Sequence, residues 1–229
     1  MTVILVRHGR STGNTSGVLS GRSPGVGLDE HGLAQAAELT GRLAGVLDQL
    51  TAVVRSPLER CAQTVSPLLA ALGEQPDRRV PELIDERLVE VDYGDWTGRK
   101  LAELVREPLW KVVQEQPSAA VFPGGEGLAD VSRRASVTVR ALDRIHGGED
   151  GHGLWLVCSH GDVLKSILAD ALGMHLDAFQ RLVVEPASIS VVHYGSARPY
   201  VHTVNSNGVL TPPPRLAQAA AVGGATGTP

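Results

Sequence analysis

Uninterrupted runs of apolar residues are the clearest feature of the hydrophobic pattern along this chain. They occur at Thr2–Val6 and again at Leu154–Cys158. Runs that lack polar alternation are typical of strands buried on both faces, as in parallel sheets. Further strands are predicted at Ala52–Arg55, Ser188–Tyr194 and Pro199–Val204, with the last two forming a hairpin around Gly195. The pattern therefore predicts a sheet whose inner strands are covered on both sides.

Apolar residues at helical spacing separate the predicted strands. One predicted helix begins after a cap at Asp29 and ends at about Gln49, and another spans Glu126 to about Ile145. Two more begin after an N-cap at Ser56, with Pro57 in the first turn, and after Gly161. Because strands alternate with helices, we expect an α/β fold. Its expected form is a three-layer α/β/α sandwich with a mostly parallel central sheet.

Two segments show neither the apolar pattern of strands nor that of helices. Residues 14–28 are rich in Gly and Ser and predict a long loop, and long ordered loops are more often functional than not. Thr211–Pro229 contains four Pro, five Ala, three Gly and one charged residue, so we expect a disordered tail. The predicted organisation is a single domain over residues 1–210 followed by this tail.

The composition excludes several classes of function. The 229 residues are 42% hydrophobic and 20% charged, and their net charge of −4 offers no basic surplus for nucleic acid. Two cysteines are too few for a disulfide scaffold, and no apolar run approaches the ~18 residues of a membrane span. Because Met1 leads directly into the first strand, we expect no signal peptide and a cytoplasmic protein without membrane partners.

Two histidines follow predicted buried strands in matching local sequences. His8 stands between Arg7 and a glycine, and His160 stands between Ser159 and a glycine. The carboxyl ends of strands form the ligand-binding edge of open α/β sheets, so we expect both imidazoles at one edge. The glycines allow tight turns and the close approach of a ligand. A structural role would explain either histidine alone, but two at matching strand ends favour a functional site.

An arginine at a third strand end completes a candidate anion site. Arg60 lies in the first turn of the helix that follows Ala52–Arg55, and the N-terminus of that helix faces the same edge. Arg60 and Arg7 would bind phosphate through bidentate hydrogen bonds. Histidine acts as nucleophile, acid or base near neutral pH. Two arginines and two histidines around one point therefore indicate a phosphate pocket with a candidate phosphohistidine.

Hydrolysis of a phosphate ester also needs an acid to protonate the departing alcohol. Residues 85–98 supply acidic candidates, of which we favour Glu90. Asp92 and Glu86 remain rival acids, because sequence does not determine where side chains point. No cluster of Cys, His and carboxylates has the spacing of metal ligands, so we expect neither a metal nor another cofactor.

Six segments of the chain, taken in order, carry a resemblance to a known family. They are Arg7-His8-Gly9 with Asn14; Ser20-Gly21; Ser56-Pro57-Leu58 with Arg60, Gln63 and Thr64; Leu88 and Glu90 with Gly94, Trp96 and Gly98; Pro123 to Glu126; and Ser159-His160-Gly161. These segments resemble the histidine phosphatase superfamily, which includes phosphoglycerate mutases and several phosphatases. The resemblance covers about residues 2–204 and implies a phosphoglycerate mutase-like fold, with an insertion or cap at about residues 99–126.

The resemblance implies five catalytic residues. His8 would attack phosphorus in line and become the phosphohistidine. Arg7, Arg60 and His160 would hold the phosphoryl oxygens and stabilise charge in the transition state. Glu90 would act as the acid for the leaving group and then as the base for water. No metal is needed for such a reaction.

Four further residues are expected on the substrate side of the pocket. The resemblance implies a hydrogen bond from Asn14 to the phosphate, and it places Ser20 and Gly21 along the pocket. Arg22 belongs to a longer loop than is usual in the family, where it either reaches a second anionic group or is solvated. The implied partner is a small phosphorylated substrate. Because family members are often dimers or tetramers, a homodimer is one candidate assembly.

The chain departs from the phosphoglycerate mutases beside the expected acid. Those enzymes have Glu-Arg-His-Tyr-Gly at this point, whereas this chain has Val91 and Asp92 after Glu90. A paired-Arg motif of the mutases is also missing near Trp110. A mutase must hold bisphosphoglycerate, so the loss of these cations favours net hydrolysis. We therefore expect a metal-independent phosphatase, with a mutase and a non-catalytic binder of phosphorylated ligands as alternatives.

Overall fold

The computed structural model describes residues 1–74, 78–147 and 153–212. The strands are β1 (Thr2–Arg7), β2 (Leu50–Arg55), β3 (Glu82–Ile84), β4 (Leu154–Ser159), β5 (Ile189–Tyr194) and β6 (Pro199–Ser206). The α-helices are α1 (Thr12–Ser16), α2 (Glu30–Arg42), α3 (Glu59–Gly73), α4 (Leu101–Leu104), α5 (Pro108–Glu115), α6 (Leu128–His146) and α7 (Gly161–Ala171).

The strands form one mixed sheet in the order β3-β2-β4-β1-β5-β6. The first four strands of that order are parallel to one another, whereas β5 runs antiparallel to β1 and β6 runs antiparallel to β5. Tyr194 pairs with Pro199 at the end of the β5–β6 hairpin. The predicted mostly parallel sheet and the hairpin around Gly195 are both confirmed.

Helices cover both faces of the sheet, because β1 turns alternate side chains into two separate cores. Val3 and Leu5 pack on one side with residues of α6 and α7. Ile4 and Val6 pack on the other side with residues of α2 and α3. All four side chains are fully buried. The predicted three-layer α/β/α sandwich is therefore confirmed, and it explains why this strand has no polar face.

The boundaries of two predicted helices are wrong in detail. α2 ends at Arg42, and a short 3-10 helix continues to Gln49. Ser56 is not the N-cap of α3, because Leu58 occupies that position. The hydroxyl of Ser56 lies 2.7 Å from Nε2 of His160, so a tertiary contact engages the group that was expected to cap the helix.

The predicted loop over residues 14–28 begins inside a helix. Ser11 and Asn14 form a capping box at the start of α1, in which each side chain accepts from the other residue's backbone N–H. With five residues, α1 is too short for its periodicity to be recognised in the sequence. At the other long helix, α6, the first residue is Leu128 rather than the predicted Glu126.

The expected insertion at about residues 99–126 contains α4 and α5. Trp110 of α5 stacks on Trp96 with a centroid distance of 6.2 Å, and this contact joins the insertion to the core. No helix in the described parts of the chain is long and apolar enough to cross a membrane. Most of the expected tail, residues 213–229, lies outside the described residues, and the division into one domain and a tail stays a prediction.

The pair of Asp143 and Trp155 is expected to stabilise the packing of α6 on β4. The indole Nε1–H of Trp155 donates to a carboxylate oxygen of Asp143 at 2.9 Å, and both residues are buried. Asp143→Ala would leave this donor unsatisfied. We expect the free energy of unfolding, measured in urea, to fall by about 1–3 kcal/mol.

Two control variants separate this hydrogen bond from the loss of a charge. Asp143→Asn keeps an acceptor for Trp155 and should recover most of the lost stability. Asp130→Ala removes an exposed ion pair with Arg133 from the same helix and should change the free energy of unfolding much less. Equal losses in the two alanine variants would contradict the prediction.

Candidate active site

The carboxyl ends of β1 and β4 bring the two predicted histidines together. Arg7, the last residue of β1, pairs with Ser159, the last residue of β4. The backbone N–H of His8 then donates to the carbonyl oxygen of Ser159 at 3.0 Å. As a result, the imidazole rings of His8 and His160 lie 5.2 Å apart between centroids. The expectation that both rings lie at one sheet edge is confirmed.

His8 is held as a neutral imidazole, and its Nε2 has no hydrogen-bond partner among the described residues. Its Nδ1 lies 2.7 Å from the carbonyl oxygen of Gly9, and because that oxygen can only accept, Nδ1 carries the proton. Burial lowers the pKa of His8 well below its ordinary value, and the charges of Arg60 and Arg7 lower it further. The Nε2 lone pair is therefore available at neutral pH.

Backbone carbonyls hold the two arginines beside His8. Arg7 donates from Nη1 to the carbonyl oxygen of Val184 at 2.6 Å, and its buried Nε has no partner among the described residues. Arg60 is buried and donates from Nη2 to the carbonyl oxygen of Gly21 at 2.9 Å. Since each guanidinium has five N–H donors, donors remain for an anion in the pocket that both residues line.

His160 is fully buried and, unlike His8, is not among the residues that line the pocket. Its Nε2 contacts the hydroxyl of Ser56, whereas its buried Nδ1 has no hydrogen-bond partner in the described part of the chain. This Nδ1 lies 3.9 Å from a carboxyl oxygen of Glu90. Burial lowers the pKa of His160 well below its ordinary value, with Arg60 and His8 adding to the effect.

The structure distinguishes Glu90 from its rival acids. Burial and the Asp162 carboxylate raise the pKa of Glu90 to about 7, against the opposing charge of Arg60. Glu90 lines the same pocket as His8, whereas the carboxylates of Asp92 and Glu86 are not part of its lining. Asp92 accepts from the backbone of its own turn and faces Arg22 at 3.8 Å. Only Glu90 of these three is placed to exchange a proton with a ligand there.

A cavity of about 440 Å³ opens beside these groups. Asn14, Ser20 and Gly21 line it, as expected from the sequence. The side-chain oxygen of Asn14 accepts hydrogen bonds from both the backbone and the hydroxyl of Ser11. The amide NH2 of Asn14 is therefore the group left for a ligand, and Gly21 contributes mainly by holding Arg60.

The expected contact of Arg22 with substrate requires a correction. Arg22 does not belong to the lining of the cavity, and its guanidinium donates to the carboxylate of Glu126 at 2.7 Å and to the carbonyl oxygen of Glu90 at 2.8 Å. Arg134 pairs with the same carboxylate. Because Glu126 engages both arginines, Arg22 supports the backbone of Glu90 and does not face a ligand.

The glycines after the two histidines serve two different contacts. A Cβ on Gly9 would lie 2.7 Å from the carbonyl oxygen of Gly32, so Gly9 lets β1 pack closely on α2. A Cβ on Gly161 would lie 3.5 Å from the guanidinium carbon of Arg7. The expected close approach of a ligand therefore applies to Gly161, which lines the cavity, and not to Gly9.

Several lining residues were missed in the sequence. Asp162 follows the second His-Gly step, and its carboxylate accepts a hydrogen bond from the hydroxyl of Tyr93 at 3.0 Å. Lys165 lies one helical turn further along α7 and donates to Gln180 at 3.0 Å. The spacing from His160 was the available signal for Asp162 and Lys165. Gln180 and the segment 182–185 carry no motif, because the chain brings them back to the cavity only in three dimensions.

The described residues contain no candidate metal site. Within residues 1–74, 78–147 and 153–212, no group of three or more His, Cys, Asp or Glu side chains is placed to hold a metal ion. Cys61 and Cys158 are both buried and unpaired, as expected for core residues. The polar groups of the cavity lining that could bind an anion include Arg7, Arg60, Lys165 and the amide of Asn14.

Comparison with protein families gives one match over nearly the whole chain. The model of the histidine phosphatase superfamily, branch 1, matches residues 3–207. The Bifunctional protein Rv2228c of Mycobacterium tuberculosis is 34% identical over 210 residues, which are 91% of this chain and 54% of that protein. The chain thus spans about half the length of this curated relative.

Other relatives match along most of their length. Phosphoserine phosphatase 1 of Hydrogenobacter thermophilus is 28% identical over 206 residues, with coverage of 89% of this chain and 91% of the relative. Among solved structures, the α-ribazole phosphatase of Shigella flexneri has a TM-score of 0.77 and 26% identity, and the match covers 93% of this chain and 100% of that one.

The charge of Asp162 is expected to contribute to the raised pKa of Glu90. Asp162→Asn keeps an acceptor for the Tyr93 hydroxyl and removes the negative charge. We expect the pKa of Glu90, followed by carbon-13 NMR titration of its carboxyl group, to fall below the value of about 7 in the unmodified protein.

Glu185→Gln is the matched control for this titration. Glu185 lines the same cavity but is not among the groups that shift the pKa of Glu90. The control should leave the titration of Glu90 in place. An unchanged pKa in Asp162→Asn would show that burial alone accounts for the shift.

Proposed function

This chain belongs to the histidine phosphatase superfamily, and we propose that it hydrolyses phosphate monoesters through a phosphohistidine on His8, without a metal ion. The observation that carries the proposal is the protonation of two neighbouring groups in one pocket. His8 has a free Nε2 lone pair at neutral pH, and Glu90 has a pKa of about 7. A nucleophile and an acid are thus available at the same pH.

In the first step, the Nε2 lone pair of His8 attacks phosphorus and the bond from phosphorus to the ester oxygen breaks. Glu90 gives its proton to the departing oxygen, so the alcohol leaves in neutral form. Arg7, Arg60 and the Nδ1 of His160 stabilise the three phosphoryl oxygens during this transfer. The unpartnered Nε of Arg7 supports this role, because buried donors without partners are rare. The buried Nδ1 of His160 is a further donor in the tautomer in which Nε2 accepts from the Ser56 hydroxyl.

In the second step, water attacks the phosphorus of the phosphohistidine. The Glu90 carboxylate takes the proton from water, and the bond between phosphorus and nitrogen breaks. The electron pair returns to Nε2 of His8, and inorganic phosphate leaves. Both reacting residues are then in their starting states, so the cycle balances without a further reactant.

Hydrolysis is favoured over transfer between phosphoglycerates. Val91 is fully buried at the position where the mutases carry an arginine for the substrate, so no cation faces the ligand there. The relatives named as phosphoserine phosphatase and α-ribazole phosphatase are consistent with this choice. The expected substrate is a small phosphorylated molecule, whereas the cytoplasmic location and the homodimer stay predictions.

Replacing the proposed nucleophile tests the central step. We expect His8→Ala to abolish phosphate release from p-nitrophenyl phosphate, with EDTA present throughout. His175→Ala is the matched control, because His175 is exposed and, like its neighbour Asp177, does not line the cavity. Full activity of His8→Ala would reject the phosphohistidine mechanism.

Replacing the proposed acid should affect substrates unequally. Alkyl phosphates have a poor leaving group, so Glu90→Gln should lower kcat for glycerol 1-phosphate by ~10²–10⁴. The loss should be smaller for p-nitrophenyl phosphate, whose phenolate leaves without a proton. Asp92→Asn is the control and should keep both rates. Equal losses on the two esters in Glu90→Gln would argue against a role as acid.

The first step should also depend on pH through Glu90. The acid works only while protonated, so formation of the phosphoenzyme from an alkyl phosphate should slow as the pH rises through about 7. Quenched-flow measurement of the phosphohistidine would follow this rate. The same rate measured with p-nitrophenyl phosphate should decline less, and a rate that increases above neutral pH for the alkyl ester would contradict the assignment.

A further inference from the structure

The cavity extends well beyond the groups that would hold the phosphoryl oxygens. We call the rest of its wall the outer pocket, which contains an apolar part and a polar part. Its main residues are Val18, Leu101, Leu182, Val183, Lys165 and Gln180. These residues come from α4, α7 and the loops around them, so the alcohol part of a bound ester would lie among them.

The charges of the outer pocket do not favour a second anionic group. Lys165 is its single cation among the described lining residues, and its Nζ lies 4.0 Å from Asp162 and donates to Gln180. Glu185 also lines the cavity, and its carboxylate accepts only from the neutral amide of Asn207 among the contacts described. This part of the lining thus contains one cation, Lys165, and two acids, Asp162 and Glu185, so a substrate carboxylate or second phosphate would meet net negative charge.

The apolar part of the outer pocket is open to a ligand. Val183 is 57% exposed and Leu101 is 38% exposed, although both line a concave surface. Exposed aliphatic side chains at the mouth of a pocket gain free energy when an apolar group covers them. The leaving alcohol is thus expected to have an apolar face.

Lys165 supplies the polar contact opposite this apolar surface. Its side chain is mostly buried and its Nζ lies 5.7 Å from the centre of the Phe179 ring, so its position is restricted. An ammonium group has three donors, of which Gln180 engages one, whereas Asp162 at 4.0 Å lies beyond hydrogen-bond distance. The remaining N–H groups can donate to a hydroxyl or carbonyl oxygen of a ligand.

We propose that the substrate is a phosphate monoester of an uncharged, partly apolar alcohol. Its apolar face contacts Leu101, Leu182 and Val183, and one of its oxygen atoms binds to Lys165. This inference rests on the proposed function, because it names the class of ester that the same site selects. It makes Val183 and Lys165 specificity-determining residues.

The test compares kcat/KM for esters that differ in the alcohol part, with EDTA present. The panel is 2-naphthyl phosphate, adenosine 5′-monophosphate, glycerol 1-phosphate, O-phosphoserine and 3-phosphoglycerate. We expect adenosine 5′-monophosphate, an alkyl ester like the two charged substrates, to exceed them by about tenfold or more, as burial of one ring system allows. Because its aryl oxygen is a better leaving group, 2-naphthyl phosphate is compared only between variants. A higher kcat/KM for O-phosphoserine or 3-phosphoglycerate would overturn the inference.

Two variants test the two sides of the outer pocket. Val183→Asp should lower the ratio of kcat/KM for 2-naphthyl phosphate to that for glycerol 1-phosphate, mainly through KM. Val137→Asp is its control, since Val137 is 61% exposed on α6 and does not line the cavity. Lys165→Met should lower the ratio of kcat/KM for adenosine 5′-monophosphate to kcat/KM for 2-naphthyl phosphate. Lys111→Met is its control.

The outcomes separate the inference from the proposed function. If no ester releases phosphate, p-nitrophenyl phosphate included, the proposed function fails and the inference fails with it. If release occurs and depends on His8, but both ratios stay unchanged in Val183→Asp and Lys165→Met, the inference alone is overturned. Ratios that change in the site variants and not in their controls would support it.

Discussion

The parallel pairing of β1 with β4 is the constraint on which the rest of the site depends. Arg7 lies opposite Ser159 in this register, so both strands end at the same level and the chain places His8 beside His160. A shift by one residue would turn every side chain to the opposite face. The register is specified from both sides, because alternate residues of β1 fit two different cores.

Removal from water then shifts the pKa values of His8 and Glu90 in opposite directions. Burial penalises charge of either sign, so the same environment keeps His8 unprotonated and raises the pKa of Glu90. Arg7 and Arg60 strengthen the effect on the histidine and oppose the effect on the acid. Backbone carbonyls hold both guanidiniums in place, so their charge is present before any phosphate enters.

Asp162 connects Glu90 with the outer pocket. Its carboxylate accepts from the Tyr93 hydroxyl, contributes to the raised pKa of Glu90 and lies near the ammonium of Lys165. The charge that helps to keep the acid protonated therefore also balances the cation of the outer pocket. A further acid, Glu126, engages Arg22 and Arg134, so these arginines support the Glu90 backbone from outside the cavity.

The sequence by itself determined the layered fold and the placement of His8 and His160 at one sheet edge, because uninterrupted apolar runs and the residues directly after them are local features of the chain. It also placed Arg60 at the same edge through a short motif, and it offered Glu90 together with Asp92 and Glu86 as candidate acids. Tertiary structure decided which acid faces the pocket, why Ser56 does not cap α3, and why Arg22 pairs with Glu126. It also brought Gln180 and the segment 182–185 to the cavity. Those outcomes depend on contacts between residues far apart in the chain, which no local pattern encodes.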